Sequence, residues 1–140
     1  MTNAEKKAYL SRYRELERQE AVLWNEYKAA RLRYDSLRSP AYDGMPHEGT
    51  GDPTALTAIR IAADRLEEKI LEMIEAKRQA REQIREAIEA LPNEPEKTVL
   101  YWRYIGGLSW EQVAVKCSYS YRHTLRVHGY ALSHFLEGVK

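Results

Sequence analysis

The segment LSWEQVAVKCSYSYRHTLRVHGYAL, residues 108–132, carries side chains suited to binding a polyanion. Its only carboxylate is Glu111, and the charges in the rest of the segment are all positive, from Lys116, Arg122 and Arg126. Arginine pairs bidentately with phosphate or with a guanine edge, and lysine acts as a point charge on phosphate. Because carboxylates repel phosphates, this pattern indicates a surface that docks on nucleic acid.

Other chemistry fits the sequence less well. His123, His128 and His134 are five and six residues apart, whereas metal ligands on one helix face need steps of three or four. The Pro/Gly loop at 38–53 lacks the preceding strand and the following Lys-Ser/Thr of a phosphate cradle. The acidic and histidine side chains of that loop have no nucleophile beside them. We therefore expect no enzymatic activity, no metal and no cofactor.

A short helix is predicted over roughly 94–105, ahead of the basic segment. Asn93 is its side-chain N-cap, and Glu96, three residues later, is the expected capping-box partner. The helix ends at Gly106-Gly107, two residues suited to a left-handed C-terminal turn.

Two further helices follow, and they carry the basic side chains. Ser109, with Gln112 three residues later, starts a helix that stops near Cys117. Ser120 starts the final helix, about 120–136. Short helices, a turn of three to four residues and a longer helix together predict a helix-turn-helix, in which the last helix is the recognition helix.

The apolar residues of this region predict one small core, formed by Val99, Leu100, Tyr104, Leu108, Val113, Ala114 and Tyr119 with Thr124, Val127, Ala131, Leu132 and Phe135 of the final helix. The final helix has a second face, opposite the one that packs on this core. In a helix-turn-helix, the side chains near the N-terminus of that second face meet base edges. His128 is interpreted as a packed, hydrogen-bonded histidine. Gly129 is interpreted as a residue that permits close helix approach, and Cys117 as a buried apolar residue with no redox role.

Upstream, two long helices of coiled-coil periodicity are predicted. Residues 1–37 contain no Gly or Pro, and residues 54–91 repeat the same alternating steps of three and four. The seam consists of Tyr9, Tyr13, Leu16, Glu20, Leu23, Tyr27, Ala30, Tyr34 and Leu37 in the first helix, and Leu56, Ile59, Ala63, Leu66, Ile70, Met73, Lys77, Ala80, Ile84, Ala87 and Leu91 in the second. We predict an all-α protein, with a long antiparallel helical hairpin at 1–91 and a helix-turn-helix domain at 92–140.

Composition limits the class of protein. The net charge is only +1, but the formal charges amount to +3 over residues 1–38, −4 over 39–92 and +2 over 93–140. A single cysteine excludes an internal disulfide, and the N-terminus has no apolar signal region. No apolar run approaches the ~20 residues that a membrane span needs. We expect a cytoplasmic protein without a membrane partner.

The stretch VLYWRYIGGLSWEQVAVKCSYSYRHTLRVHGYALSHFL resembles the fourth region of sigma factors, the module that reads an upstream promoter element. It is most similar to phage late-gene transcriptional regulators of the ArpU/RinA type, through RYIGGLSWEQVA, the YSYR start of the final helix and RVHGYAL after it. A long charged helix running into AIEALPNEPEKTVL and a loop like SPAYDGMP are typical of that family too. The resemblance covers most of the chain.

The resemblance implies sequence-specific binding of double-stranded DNA and activation of a phage or prophage late operon. Host RNA polymerase is a further candidate partner, and the bacterial nucleoid is the expected location. Two of the candidate residues fall where the family meets phosphates (Ser109 and Lys116), and the others lie at the start of the recognition helix. The DNA-binding candidates are Ser109, Lys116, Ser120, Tyr121, Arg122, His123, Leu125 and Arg126.

Two other functions stay open. A DNA-packaging adaptor, like a small terminase subunit, also joins a helix-turn-helix to a helical arm, although such proteins usually place the DNA module first. A coiled-coil scaffold that binds only protein is the other. For the DNA-binding protein, apolar residues beside the seam predict a homo-oligomer, most simply a twofold dimer through the arms. Those residues are Val22, Trp24, Ile61, Leu71, Ile74 and Ile88.

Overall fold

A computed structural model describes residues 1–38 and 53–136, and every regular element within these ranges is helical. The elements are α1 (Asn3–Leu10), α2 (Arg12–Arg38), α3 (Pro53–Glu89), α4 (Glu94–Leu100), a π-helical turn (Tyr101–Ile105), α5 (Trp110–Cys117) and α6 (Tyr121–His134). The predicted all-α class is confirmed. The predicted loop at 38–53 lies almost wholly outside the described residues. No described helix is long and apolar enough to cross a membrane.

The N-terminal region is interrupted once, although one unbroken helix was expected over the first 37 residues. Thr2 caps α1 through a capping box, since its hydroxyl accepts from the Glu5 amide and the Glu5 carboxylate accepts from the Thr2 amide. At Ser11 the helix is interrupted, and α2 begins at Arg12. The Ser11 amide still donates to the Lys7 carbonyl, so the interruption is local.

The described chain divides into two compact units. One consists of Met1–Glu17 with Ala76–Lys140, and the other is Arg18–Glu75. The first unit therefore joins the N-terminal helix to the C-terminal helices. These bounds differ from the division expected at residue 91, and the separate folding of the two predicted domains stays a prediction.

The predicted 3.5-residue seam agrees with the covered residues of the two long helices, apart from the half-buried Arg14 and Glu17 near the start of α2 and one residue of α3. In α2, each predicted seam residue is half-buried except Leu37, which is 40% exposed. In α3, each is buried or half-buried, and the other positions are exposed with one exception. That exception is Ile88, which was expected to stay partly exposed and is only 2% exposed. Ile88 packs into the larger apolar cluster of the first unit, together with Ile84 of the same helix.

The core of the first unit consists of two apolar clusters, where one was expected. The smaller is centred on Val99, Val113 and Val127, between α4, α5 and α6. The larger joins residues of α6 and the π-helical turn to the end of α3 and to Leu10 of α1. The apolar residues predicted for the core are all buried or half-buried. The contribution of α1 was not predicted, because it depends on a contact between opposite ends of the sequence.

Two polar contacts fix the C-terminal half of α6. The buried Lys6 ammonium of α1 donates to the carbonyl oxygen of Leu132 at 2.6 Å. A cation at this position also interacts favourably with the negative end of the helix dipole. The Glu96 carboxylate lies 3.0 and 3.1 Å from Nδ1 of His134. Asn93 caps α4 as predicted, since its side chain accepts from the Glu96 amide, but the Glu96 carboxylate is directed to His134.

Candidate nucleic-acid interface

Both helices of the basic segment begin at side-chain caps that the sequence predicts. The Ser109 hydroxyl accepts from the Gln112 amide, and the Gln112 side chain accepts from the Ser109 amide at 2.9 Å. The Ser120 hydroxyl accepts from the His123 amide at 3.1 Å. These bonds satisfy amides that the first turn of a helix leaves unpaired, and they fix where α5 and α6 start.

The connection between α5 and α6 is a tight turn. Ser118 adopts a left-handed conformation, with φ of 58° and ψ of 38°. The Ser118 amide donates to the Val115 carbonyl, and the Tyr119 amide donates to the Ala114 carbonyl at 3.0 Å. Tyr119 then packs against the valine cluster. Left-handed residues with such bonds close a helix and redirect the chain, so the orientation of α6 relative to α5 is set here.

One face of α6 is buried and the other is exposed, in agreement with the predicted assignment. Thr124 and Val127 are on the buried face, and the Thr124 hydroxyl donates to the Ser120 carbonyl at 2.9 Å. We define the outer face of α6 as its exposed residues at helical spacing, namely Arg122, Leu125, Arg126, Gly129 and Ser133.

The N-terminal half of the outer face carries the predicted base-contacting residues. Arg122 and Arg126 are one turn apart and exposed, and neither makes a hydrogen bond or ion pair within residues 1–38 and 53–136. Leu125 lies between them on this face and is 37% exposed, and the adjacent Tyr121 is 49% exposed. Two guanidinium groups and an apolar side chain are therefore presented to solvent together, and the described part of the chain supplies no partner for either guanidinium group.

The remaining candidates lie at the borders of this surface. Ser109 and Ser120 are exposed, and each hydroxyl oxygen is already engaged as a helix cap. Lys116 is exposed, with its ammonium 5.2 Å from the centre of the Trp102 ring. The ring of His123 lies edge-on to Tyr119, with the centroids 4.7 Å apart. All eight predicted residues thus belong to α5, α6 or their caps.

His128 faces the interior, as its interpretation as a packed histidine requires. It is 7% exposed, and its Nε2 lies 2.8 Å from the hydroxyl of Tyr104. Its ring also contacts Trp110. Burial, with the positive charges of Lys7 and Arg103, lowers the pKa of His128 from 6.5 to about 4. The imidazole is therefore neutral at physiological pH and adds no charge to the interface.

Gly129 does not have the role that was expected of it. A side-chain carbon at this position would meet nothing within 4 Å, so no neighbouring helix requires a glycine there. Gly129 and Ser133 continue the outer face beyond Arg126, and sequence reasoning did not include them in the site. Their spacing of seven and eleven residues from Arg122 is the signal that would have found them.

The histidine, acidic and cysteine side chains of the described residues are the candidates for metal binding and for thiol chemistry. Within residues 1–38 and 53–136, no group of three or more His, Cys, Asp or Glu side chains is placed to hold a metal ion. Cys117 is half-buried against the valine cluster, and burial raises the pKa of its thiol. The thiol therefore stays protonated at neutral pH, which suits a packing residue.

Comparisons with protein-family models, with curated proteins and with solved structures found no match for this chain.

Proposed function

We propose that the protein is a sequence-specific regulator of transcription that binds double-stranded DNA, with α6 as its recognition helix. In this proposal α5, the Ser118 turn and α6 form a helix-turn-helix of the kind found in the fourth region of sigma factors. The resemblance to phage late regulators of the ArpU/RinA type gives the expected biological setting, a phage or prophage late operon.

The observation that carries the proposal is the outer face of α6. Arg122 and Arg126 are exposed there, and neither has a carboxylate partner in the described ranges. Unpaired guanidinium groups on the first two turns of a capped helix suit bidentate contact with guanine O6 and N7 in the major groove. Leu125 between them suits apolar contact with a thymine methyl group.

The borders of the surface suit the DNA backbone. Phosphate contacts hold such a module in register, and they come from lysine, from hydroxyl groups and from helix N-termini. Lys116 at the end of α5 and the exposed N-terminus of α5 at Ser109 supply such groups. A protein of net charge +1 would therefore bind DNA through the local excess of positive charge on this segment.

The direct test is selection of bound sequences from a random pool of duplex DNA, followed by titration of the selected duplex against a scrambled one. We expect a defined consensus and a clear preference for the selected duplex. Equal affinity for selected and scrambled DNA, or no binding to either, would contradict the proposal.

Single substitutions then separate base readers from phosphate contacts. Arg122→Ala and Arg126→Ala should each weaken specific binding by ~1–3 kcal/mol and relax the preference at one base position. Lys116→Ala should weaken binding to all sequences alike and reduce the slope of log K against log salt by about one. If the arginine variants lost affinity equally for selected and scrambled DNA, our assignment of base readers would be wrong.

We also propose that α2 and α3 form an antiparallel hairpin. Within the unit Arg18–Glu75, the covered residues of both helices follow the predicted seam. One cleft of this unit is lined both by Tyr27 and Tyr34 of α2 and by Ala63 and Glu67 of α3, so the helices are adjacent there. A pair of helices joined by a loop and packed along one seam each is most simply antiparallel.

The same unit supports assembly into a homodimer. It exposes large apolar side chains that the seam does not cover: Val22, Trp24, Leu32, Ile61, Leu71 and Ile74. Exposed apolar side chains in such number are typical of a surface that binds another protein chain. A dimer would double the number of bases that one small module reads, which specific binding over a genome requires.

Sedimentation equilibrium tests the assembly. The wild-type chain should sediment at twice its 16.3 kDa mass at micromolar concentration. The double variant Leu71→Gln/Ile74→Gln should shift towards the monomer with its helical content unchanged. Val115→Gln is the matched control, because Val115 is 80% exposed but belongs to the other unit. A wild-type monomer with a cooperative melt would contradict the dimer.

A further inference from the structure

A second basic surface lies in the same compact unit as the recognition helix, in a cleft between the end of α3 and α4. Arg81, Arg85 and Glu89 of α3 line one side of it, and Glu94, Lys97, Tyr101 and Trp102 line the other. We call this the arginine cleft. None of the DNA-binding candidates lies in it.

The arginine cleft carries a small positive net charge, since it is lined by three cations, Arg81, Arg85 and Lys97, and two carboxylates, Glu89 and Glu94. Two of the cations have no partner in the described part of the chain. Lys97 lies 3.1 Å from the Glu94 carboxylate and 3.8 Å from that of Glu89, so its charge is compensated. Arg81 and Arg85 are exposed and make no hydrogen bond or ion pair with any part of the chain that the structure describes. They stand one helical turn apart on the same face of α3, and both border the cleft.

Trp102 connects the arginine cleft to the proposed DNA interface. It lines the cleft, and the Lys116 ammonium lies 5.2 Å from the centre of its ring. Lys116 belongs to α5 and is the proposed phosphate contact there. Trp102 therefore belongs both to the cleft that Arg81 and Arg85 border and to the contact with Lys116.

We propose that the arginine cleft binds phosphates of the same duplex, beyond the bases that α6 reads. The inference rests on the proposed function and adds to it a longer footprint on one side of the recognised sequence. Arginine without an internal partner is suited to phosphate, and two arginines one helical turn apart suit a polyanion with regularly spaced charges. Since such contacts carry no base identity, they would strengthen binding to any flanking sequence.

The experiment compares two duplexes that contain the sequence selected from the random pool. The short duplex ends at the last selected base pair, and the long one extends ~15 base pairs further on each side, about one and a half helical turns. We expect the wild-type chain to bind the long duplex more tightly. In the double variant Arg81→Ala/Arg85→Ala, this gain should disappear.

Salt dependence gives a second readout. With the long duplex, the double variant should lose about two units of the slope of log K against log salt. At about 0.15 M salt, this corresponds to a loss of affinity of roughly 10- to 30-fold. The base consensus should be unchanged, because the cleft is not expected to read bases.

The matched control is Arg60→Ala/Arg65→Ala. It removes two exposed arginines from the same helix and changes the net charge equally, but its positions belong to the unit Arg18–Glu75. The control should keep the wild-type gain and slope, and circular dichroism melts should show that both double variants fold. If the control lost as much affinity as the cleft variant, the effect would be one of net charge and the proposal would be overturned.

The remaining outcomes separate this proposal from the one on which it rests. If wild type binds the selected duplex specifically and Arg81→Ala/Arg85→Ala binds both duplexes as wild type does, the arginine cleft is not a DNA contact and the proposed function stands. In that case an acidic protein segment would be the next ligand to test. If wild type shows no preference for any duplex, the proposed function itself fails.

Discussion

Lowering the pH should destabilise the protein through His128. This imidazole is buried in α6, with Nε2 2.8 Å from the Tyr104 hydroxyl and its ring against Trp110. Burial removes water that would stabilise the imidazolium, and the charges of Lys7 and Arg103 oppose it further. Together they lower the pKa of His128 from 6.5 to about 4.

The direction of the effect follows from proton binding. In the unfolded chain the imidazole titrates near its ordinary pKa of 6.5, and in the folded chain it stays neutral until the pH approaches about 4. Between these values the unfolded state binds one more proton, so the free energy of unfolding falls as the pH falls. The slope approaches ~1.4 kcal/mol per pH unit, which gives a loss of about 2 kcal/mol between pH 7 and pH 5.

Urea unfolding at constant ionic strength, followed by circular dichroism at several pH values between 7 and 5, measures this loss. The variant His128→Gln removes the titrating group, and its amide can still hydrogen-bond to Tyr104. Its free energy of unfolding should fall less than that of wild type over this range, by about 2 kcal/mol. Contributions from other titrating groups are common to both proteins and cancel in the difference.

The control is His123→Gln, which makes the same change of side chain at an exposed position of the same helix. Because His128 is still present, this variant should retain the loss of stability that His128 causes between pH 7 and pH 5. Parallel pH profiles for wild type and His128→Gln would show that burial does not depress the pKa of His128. The same conclusion would follow if wild type became more stable as the pH fell from 7 to 5 while His128→Gln did not.

Three other substitutions, the first with a matched control, test the first unit by denaturant or thermal unfolding. Lys6→Met should cost ~1.5–3 kcal/mol, because it removes the charged donor to the Leu132 carbonyl. Lys7→Met, on the exposed neighbour, should change stability by less than ~0.5 kcal/mol, and equal effects would contradict a role for the buried bond. Gly129→Ala should stabilise the protein by ~1 kcal/mol, since α6 gains a better helix former and the added methyl group meets nothing within 4 Å. Gly107→Ala should destabilise the protein by at least ~1–2 kcal/mol, because φ at this residue is +69° and the guanidinium group of Arg14 lies against it. An unchanged free energy of unfolding would mean that the turn adapts to the added methyl group without cost.

The helix boundaries and exposed faces were largely predictable from the sequence. The hydroxyl groups of Ser109 and Ser120 accept hydrogen bonds from amides three residues later in the sequence. Because the partners are so close in sequence, these capping roles can be predicted from a short segment alone. The seam of the long helices was predictable for a similar reason. Apolar residues that repeat every 3.5 positions fall on one face of a helix, and this repeat can be found within the sequence of each helix separately. For the same reason the N-terminal half of the outer face of α6 followed from the residues assigned to its buried face, whereas Gly129 and Ser133 were not included.

The contacts that hold these elements together were decided only by the tertiary structure. Lys6 and Leu132 are separated by 126 residues, and no local pattern indicates that the first helix packs against the last. Ile88 lies beside the seam, yet it is buried because it belongs to the apolar cluster that includes Leu10 of α1 and Leu132 of α6. Glu96 has the spacing of a capping-box residue, yet its carboxylate is bound by His134, 38 residues away. Capping and periodicity depend on neighbours within one or two helical turns, whereas these contacts depend on which distant surfaces meet, and that is determined by the packing of the whole chain.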